Sequence, residues 1–494
     1  MRLKDLASNL DEFTLSGNGD VIVQGLTHDS RRVQPGDLFI CLQGIHCDGH
    51  QFAADAIARG ASAVVINHNP AVILPSGTPF IATQNTRRAL AQLAAAFNAR
   101  PSRRIRLIGV TGTNGKTTTT RLIASILRAG GEMVGTIGTL GAELEGEVLD
   151  SEHTTPEADQ VQSLLAEMVM RGADSVVMEV SSHALAQHRV DECEFDAGVF
   201  TNLTQDHLDY HGDLSHYFDC KRRLFTELPA RSEKRFLTVS NMDDPYGREL
   251  AKQVRRRLIT YGMEKDATVR AIDVHCSALE SRFHCMTSEG ELDVLLPIGG
   301  AFQVMNGLAA VATTVGLQIP LKVIKMGLAQ AQPIPGRFEA VPTGSDFAVV
   351  VDYAHTPDGL KNLLESARLL HPQRMVLVFG CGGERDHGKR PKMGAIAAEL
   401  ADAVILTSDN PRSEGAEDII QEILGGIPSE QKVLVRLQPD RREAIALAIQ
   451  EARCGDLILI AGKGHETTQI IGDRQIPFDD RLVVREILGH RNRP

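Results

Sequence analysis

The stretch "GVTGTNGKTTTT", residues 109–120, restricts the fold more than any other part of the chain. It leaves a short apolar run, "RLIGV", and enters a segment where Leu122, Ile123, Ile126 and Leu127 recur at helical spacing. The glycines therefore stand at a strand-to-helix turn. Gly112 and Gly115 let backbone N–H groups close around phosphate oxygens, Lys116 supplies charge, and Thr117 offers a hydroxyl to a hard cation. The helix start adds its positive end. The common P-loop pattern has a glycine five places before Gly115, where this chain has Val110. A ligand-free glycine turn is the competing reading, yet Gly-Lys-Thr in this context predicts ATP or GTP binding.

The last third of the chain is a second α/β pattern. Apolar runs at "FAVVVDY", "RMVLVFG", "DAVILTS", "KVLVRL" and "DLILIAG" alternate with helical stretches such as "DGLKNLLESARLL" and "RREAIALAIQEA". Such alternation predicts a doubly wound, mostly parallel sheet with helices on both faces. Ligands of that architecture sit at the carboxyl ends of the strands. Asp352, residues 380–383, 409–412 and 462–466 all fall there. Among them, "TSDNPRSE" at 407–414 ends a strand in an Asx-Pro turn that carries Arg412 outward. A solvated turn is the ordinary reading of such a segment. Its position at the ligand-binding rim makes it a candidate contact.

Proline-marked junctions at "ARPSRR" and "AQPIPGRFE" divide the chain into residues 1–102, 103–334 and 335–494. The first segment mixes short strands ("VIVQGL", "GDLFICL", "AVVINH") with a helix at "HQFAADAIARGA". A formal charge of -11 argues against a nucleic-acid surface, so a polyanionic substrate needs a local basic site. No stretch approaches the roughly eighteen apolar residues of a membrane span, and "MRLKDLASNLDEF" has acids where a secretory signal is apolar. The eight cysteines show no CxxC pair or metal spacing. A reducing cytoplasm is the expected location.

Two further stretches gather candidate metal groups. "VVMEVSSHAL" places Glu179 and Ser181 at the end of an apolar strand, and "FTNLTQDHLDYHGDLSHYFDCKRRLF" holds Asp206, His207, Asp209, His211 and Lys221. Mg²⁺ prefers oxygen donors, so Glu179 is its natural protein ligand, whereas a lone histidine such as His207 is more often a structural hydrogen-bonder. Lys221 reads as a surface lysine in "CKRR". Beside a cation it must bind phosphate or carry a modification that makes it anionic, such as a carbamate.

Seven stretches in this order, "GVTGTNGKTTTT", "MEVSSHALAQHRV", "FTNLTQDHLDYHGD", "VVDYAHTPD", "FGCGGERDHGKRPKMG", "SDNPR" and "AGKGHE", closely resemble the Mur ligases of bacterial cell-wall synthesis. Within them the match is to members that add meso-2,6-diaminopimelate to UDP-N-acetylmuramoyl-L-alanyl-D-glutamate. The resemblance spans essentially the whole chain. It implies three α/β domains: an N-terminal UDP-binding one, a central P-loop ATPase and a C-terminal Rossmann-like one. It also implies an acyl-phosphate route, in which ATP phosphorylates the D-glutamyl carboxylate and an amine displaces phosphate.

Position by position, the resemblance makes Lys116, Glu179, His207 and Lys221 catalytic. It assigns ATP to Gly112, Thr113, Asn114, Gly115, Lys116, Thr117, Thr118, Asn306, Arg337 and Asp352, and Mg²⁺ to Thr117, Glu179, His207 and Lys221 as its carbamate. The UDP-muramyl dipeptide is assigned to His28, Ser30, Ile45, His46, Cys47, His153, Thr154, Thr155, Ser181, Gln187 and Arg189. Diaminopimelate is assigned to Arg385, Asp409, Asn410, Pro411, Arg412, Gly462 and Glu466, with Arg412 forking its distal carboxylate and Glu466 pairing its distal ammonium. His153 and Gln303 stand where relatives commonly carry asparagine. A monomer without nucleic-acid or membrane partners is expected. The alternatives are an L-lysine-adding ligase on the same nucleotide, which Arg412 opposes, and a P-loop regulatory ATPase that makes no bond.

Overall fold

The computed structural model describes the chain except residues 45–46, 69–73, 150–152, 255–256, 431–434 and 492–494. The described residues form two compact units: Met1–Leu203 with His207–Tyr261 and Ala312–Ile319, and Thr204–Asp206 with Gly262–Val311 and Pro320–Pro494. The uridine-end positions Ile45 and His46 lie outside the described residues.

The first unit holds two sheets. In the smaller one the strands run in the order Thr14–Ser16, Phe80–Thr83, Ala63–Asn67, Asp37–Ile40 and Gly25–Thr27, parallel except for the first. Alternate residues serve its two faces: Leu38, Ile40 and Val65 pack with Leu90 and Leu93 of the helix Thr86–Phe97, while Phe39, Val64 and Ile66 pack with Ala53 and Ala56. The larger sheet places Arg106–Thr111 between Ser175–Glu179 and Ala197–Phe200, all parallel. Leu237–Asn241 and Leu258–Gly262 extend it on one side, and Val134–Gly138 with the hairpin Gly141–Leu144 and Glu147–Leu149 on the other. The P-loop thus issues from an interior strand, with neighbouring strand ends beside it.

The second unit includes three antiparallel strands, Val269–Cys276, Ser281–Thr287 and Gly290–Leu296. Its six-stranded sheet runs Glu339–Val341, Ala348–Asp352, Asp456–Ala461, Arg374–Phe379, Ala403–Leu406 and Val435–Leu437, parallel after the first pair. Met375, Leu377 and Phe379 pack with Leu360, Met393 and Ile420, whereas Val376 and Val378 pack with Ile445, Ile449 and Val484. Helices therefore cover both faces, the doubly wound arrangement expected from the alternating pattern.

Candidate active site

Gly112 turns the chain off Arg106–Thr111 at φ +149° and Gly115 turns it into the helix Lys116–Ala129 at φ +83°. A Cβ at Gly112 would lie 1.9 Å from Thr201 Oγ1, so only glycine fits. The loop is laced to the neighbouring strand end: the Thr113 and Asn114 N–H groups donate to the Asn202 backbone carbonyl and Oδ1 at 2.9 Å each, and Thr201 Oγ1 donates to the Asn114 carbonyl at 2.6 Å. Lys116 Nζ donates to the carbonyls of Gly112 (2.9 Å) and Thr113 (2.8 Å). Thr117 and Thr118 are buried in the first helical turn.

Glu179 ends its strand with 1% of its surface exposed. Thr139 holds its carboxylate through N–H to Oε1 at 2.9 Å and Oγ1 with Oε2 at 3.1 Å. From there a polar chain runs outward. Thr139 Oγ1 meets Thr154 Oγ1 at 3.1 Å, and Thr155 Oγ1 donates to the Glu179 carbonyl at 2.8 Å while accepting the Ser181 N–H at 3.1 Å. Arg189 donates to the Thr155 carbonyl and Gln187 Oε1 at 2.8 Å each. Thr154, Thr155, Ser181, Gln187 and Arg189 are thereby brought together against the strand that ends at Glu179. His153 is exposed beside them.

Lys221 is not a surface residue. Only 1% exposed, it donates from Nζ to the Gly112 carbonyl at 2.8 Å, and Nζ stands 4.4 Å from the centre of the Tyr217 ring. The reason is helical spacing: Tyr217, Phe218 and Lys221 share the buried face of Leu214–Arg222. Tyr217 OH in turn meets Thr113 Oγ1 at 3.2 Å. His207 is exposed at φ +53°, its ring 4.8 Å from that of His183, and His211 Nε2 hydrogen-bonds Ser182 Oγ at 2.9 Å. Asp206 groups with the second unit.

At the N-terminal end, Ser30 opens a short 3₁₀ turn capped by Asp29, and Cys47 is exposed. His28 Nδ1 meets Asp159 at 2.8 Å, tying the small sheet to the helix Ala158–Met170. Burial opposes the charged imidazole, but Asp159, Glu157 and Asp29 outweigh it and raise His28 above 6.5. A raised folded-state value stabilises below the unfolded value, and that contribution disappears as pH rises through the folded value. The melting-temperature gap between the native chain and His28→Ala is therefore expected to be widest below pH 6.5 and to narrow above it. A gap that does not change with pH would show that the charged pair contributes nothing.

In the second unit, Asn306 donates from Nδ2 to Gln303 Oε1 at 2.7 Å. The Arg337 guanidinium lies 4.9 Å from the centre of the Tyr353 ring. Asp352 accepts the N–H groups of Phe338 (2.7 Å) and Ala354 (2.8 Å), and desolvation raises its carboxyl despite Arg337 and those bonds.

Residues 409–411 are buried and lead into a half-buried, strained Arg412 at φ +55°. It is pinned by Arg412 N–H to the Ile470 carbonyl at 3.1 Å and Gly472 N–H to the Arg412 carbonyl at 2.6 Å. Its guanidinium Nη1 donates to the Gly383 carbonyl at 2.6 Å. A Cβ at Gly382 would stand 3.1 Å from Arg412 Nη1 and 3.8 Å from Arg385 Cγ, which places both arginines at one loop. Gly462, at φ +113°, lies against Asp409: a Cβ there would meet Asp409 Oδ2 at 2.6 Å. Burial raises the Asp409 carboxyl, with Arg441 and Lys463 opposing. Asn410 Nδ2 donates to Glu466 Oε2 at 2.8 Å. Arg385, Asp409, Asn410, Pro411, Arg412, Gly462 and Glu466 thus converge at neighbouring strand ends.

Sequence reasoning missed the charges that hold this rim. Arg390, 0% exposed, donates to both oxygens of Glu414 (2.9 and 3.0 Å), to Glu422 and to the Gly382 carbonyl, and holds Glu414 at about 2. Arg441 pairs with Asp480 at 2.7 Å, both 0% exposed, and donates to the Ser408 and Ala461 carbonyls. Lys463 is likewise sealed. Nothing local marks a lysine or arginine as buried: Arg390 and Arg441 stand in the first turns of helices, and only Lys463 follows the end of an apolar strand.

Comparison with known proteins gives the same picture. The family descriptions "Mur ligase family, catalytic domain", "Mur ligase middle domain" and "Mur ligase, glutamate ligase domain" match residues 22–98, 110–314 and 336–464. The chain is 46% identical over 494 residues to a UDP-N-acetylmuramoyl-L-alanyl-D-glutamate–2,6-diaminopimelate ligase from Gloeobacter violaceus, covering 99% of each. It is 44% identical over 490 residues to one from Syntrophomonas wolfei, again over 99% of each. A solved structure of a ligase of that name superposes with TM-score 0.71 at 31% identity over 100% of both chains. At 19% identity, a MurF ligase from Thermotoga maritima in complex with ADP shares the fold, with TM-score 0.64 over 96% of this chain and 99% of its own.

Proposed function

The chain belongs to the Mur ligase family, and we propose that it joins meso-2,6-diaminopimelate to UDP-N-acetylmuramoyl-L-alanyl-D-glutamate at the expense of ATP. One observation carries the ligase reading over a simple ATPase. The polar chain Thr154–Thr155–Ser181–Arg189 is bonded onto the strand ending at Glu179, immediately beside the strand that feeds the P-loop. A phosphoryl donor and a carboxylate acceptor are then held at adjacent strand ends.

A carboxylate is a poor acyl donor because oxide is a poor leaving group. The D-glutamyl oxygen attacks the γ-phosphorus, the bond to ADP breaks, and an acyl phosphate results. The amine of diaminopimelate attacks the carbonyl carbon, and the tetrahedral intermediate expels phosphate and loses the amine proton. We assign the ATP phosphates to residues 112–118, with Lys116 countering charge on the transferred group. Asn306, Arg337 and Asp352 take the nucleotide roles the family gives those positions. His28, Ser30, Cys47, His153, Thr154, Thr155, Ser181, Gln187 and Arg189 take those for the UDP-muramyl dipeptide.

The hydroxyl of Thr117 and the buried Glu179 carboxylate are hard oxygen donors that suit Mg²⁺, and we assign His207 to the same ion as the family gives that position. A bound Mg²⁺ would supply positive charge at the phosphate oxygens. Lys221 joins that donor set only as a carbamate: CO₂ adds to its neutral amine, a proton leaves, and a cation becomes an oxygen anion. For the amino acid, Arg412 grips the distal carboxylate with Arg385 nearby, and Glu466 receives the distal ammonium. We further propose domains at 1–102, 103–334 and 335–494, supported by the three matched segments.

Phosphate release should require ATP, the UDP-dipeptide and diaminopimelate together. Steady hydrolysis of ATP alone at the full rate would favour the regulatory-ATPase reading.

A further inference from the structure

Lys463 is 0% exposed, yet it carries an ammonium with three N–H donors. Each has an acceptor: Asn410 Oδ1 at 3.1 Å, Glu466 Oε2 at 3.1 Å and the Thr468 carbonyl at 2.6 Å. A sealed lysine is costly to desolvate, so three well-placed acceptors are what makes the position tolerable. Those acceptors belong to two separate rim segments, the turn at 409–412 and the stretch 462–468. Asn410 closes the ring by donating from Nδ2 to the same Glu466 oxygen, and its Oδ1 also accepts the Ile470 N–H at 3.0 Å. Asn410 Oδ1 thus accepts two bonds within the protein, and one of its two Nδ2 N–H groups is held by Glu466. Among the described residues only Oε2 of Glu466 is bonded, which leaves Oε1 for an incoming donor.

We propose that Lys463 is a positioning residue for the amino-acid substrate: its ammonium fixes the Glu466 carboxylate and the Asn410 turn in one geometry, so that Glu466 and Arg412 meet the two distal charges of a diamino dicarboxylate together. The inference rests on the diaminopimelate reading of this pocket. Lys463 touches no substrate atom. Its effect passes through Glu466, and through Asn410 to the strained backbone that aims Arg412.

Replacing Lys463 with methionine keeps an unbranched side chain one atom shorter and removes all three donors. The expected result is a KM for diaminopimelate raised about ten- to hundredfold, the scale for losing charged hydrogen bonds and misplacing a binding group. KM values for ATP and the UDP-dipeptide should stay within about twofold, because neither is assigned to this pocket. K463Q, whose amide keeps two N–H donors but no charge, should fall between the native chain and Lys463→Met. A merely structural lysine would instead lower the melting temperature and the amount of active enzyme, with all KM values unchanged. If Lys463→Met gives no cooperative melt, K463Q decides. An unchanged KM for diaminopimelate in a folded variant overturns the inference while the reading of the pocket stands. A native chain that does not turn over diaminopimelate overturns both.

Discussion

Lys221→Ala is expected to abolish ligation while leaving the chain folded and able to bind ATP. Three observations support so large an effect. Lys221 is buried, its nitrogen is 2.8 Å from the Gly112 carbonyl, and the helical turn that carries it also carries Tyr217, whose hydroxyl contacts Thr113. The residue therefore sits under the phosphate loop. Removing a single group that stabilises developing charge costs roughly a hundred- to a thousandfold in rate, and a group that also completes the proposed cation site should cost no less. We assign nucleotide binding mainly to the loop amides and Lys116, so it should persist. The two measurements are steady-state phosphate release and equilibrium binding of a fluorescent ATP analogue. Turnover within tenfold of the native chain would remove Lys221 from the machinery. Carbamylation has its own readout, a ¹³C carbamate signal in native enzyme equilibrated with labelled bicarbonate that is missing from Lys221→Ala.

Arg412→Ala is the second large effect, and it bears on specificity. The guanidinium is anchored by one N–H to the Gly383 carbonyl, and Arg385 lies at the same loop. A fork so held can offer its remaining donors to a carboxylate in parallel. Losing one side of such a charge pair costs about 2 to 5 kcal/mol, so the apparent affinity for diaminopimelate should fall by more than tenfold. Arg412→Lys should recover little of it, because a point charge lacks the fork. Both substitutions keep a side chain at φ +55°, so backbone strain is the same in each and does not confuse the comparison. Unaltered affinity for diaminopimelate in Arg412→Ala would leave the turn without its assigned role.

How much of this was legible beforehand follows from the kind of signal each feature leaves. The P-loop was plain because glycine, lysine and threonine are each required at a fixed spacing by one local geometry. Gly112 bears this out, since no Cβ fits beside Thr201. The C-terminal sheet was plain because apolar strands and amphipathic helices alternate, and Val376 and Leu377 do face opposite sides. Lys221 was misread on local pattern alone. "CKRR" looks solvated, and only the helical register with Tyr217 and Phe218 turns the first of those three cations inward. Lys463, Arg390 and Arg441 escaped for a related reason, because their partners lie 3 to 53 residues away and sequence spacing carries no trace of most of them. The polar chain Thr154–Thr155–Ser181–Arg189, which we propose faces the substrate, was grouped only through resemblance. Its hydrogen bonds show the physical reason for that grouping, as Thr155 bridges two stretches of chain at the Glu179 strand end.

The most direct test of the central claim is ligation of a panel of amino acids to UDP-N-acetylmuramoyl-L-alanyl-D-glutamate in the presence of ATP and Mg²⁺, read as product mass and phosphate released. The expected outcome is one amide product with meso-2,6-diaminopimelate, one phosphate per amide, and turnover with L-lysine lower by at least about thirtyfold, as loss of a forked carboxylate contact worth about 2 kcal/mol or more requires. Equal turnover with L-lysine, or phosphate release without an amide product, would contradict it.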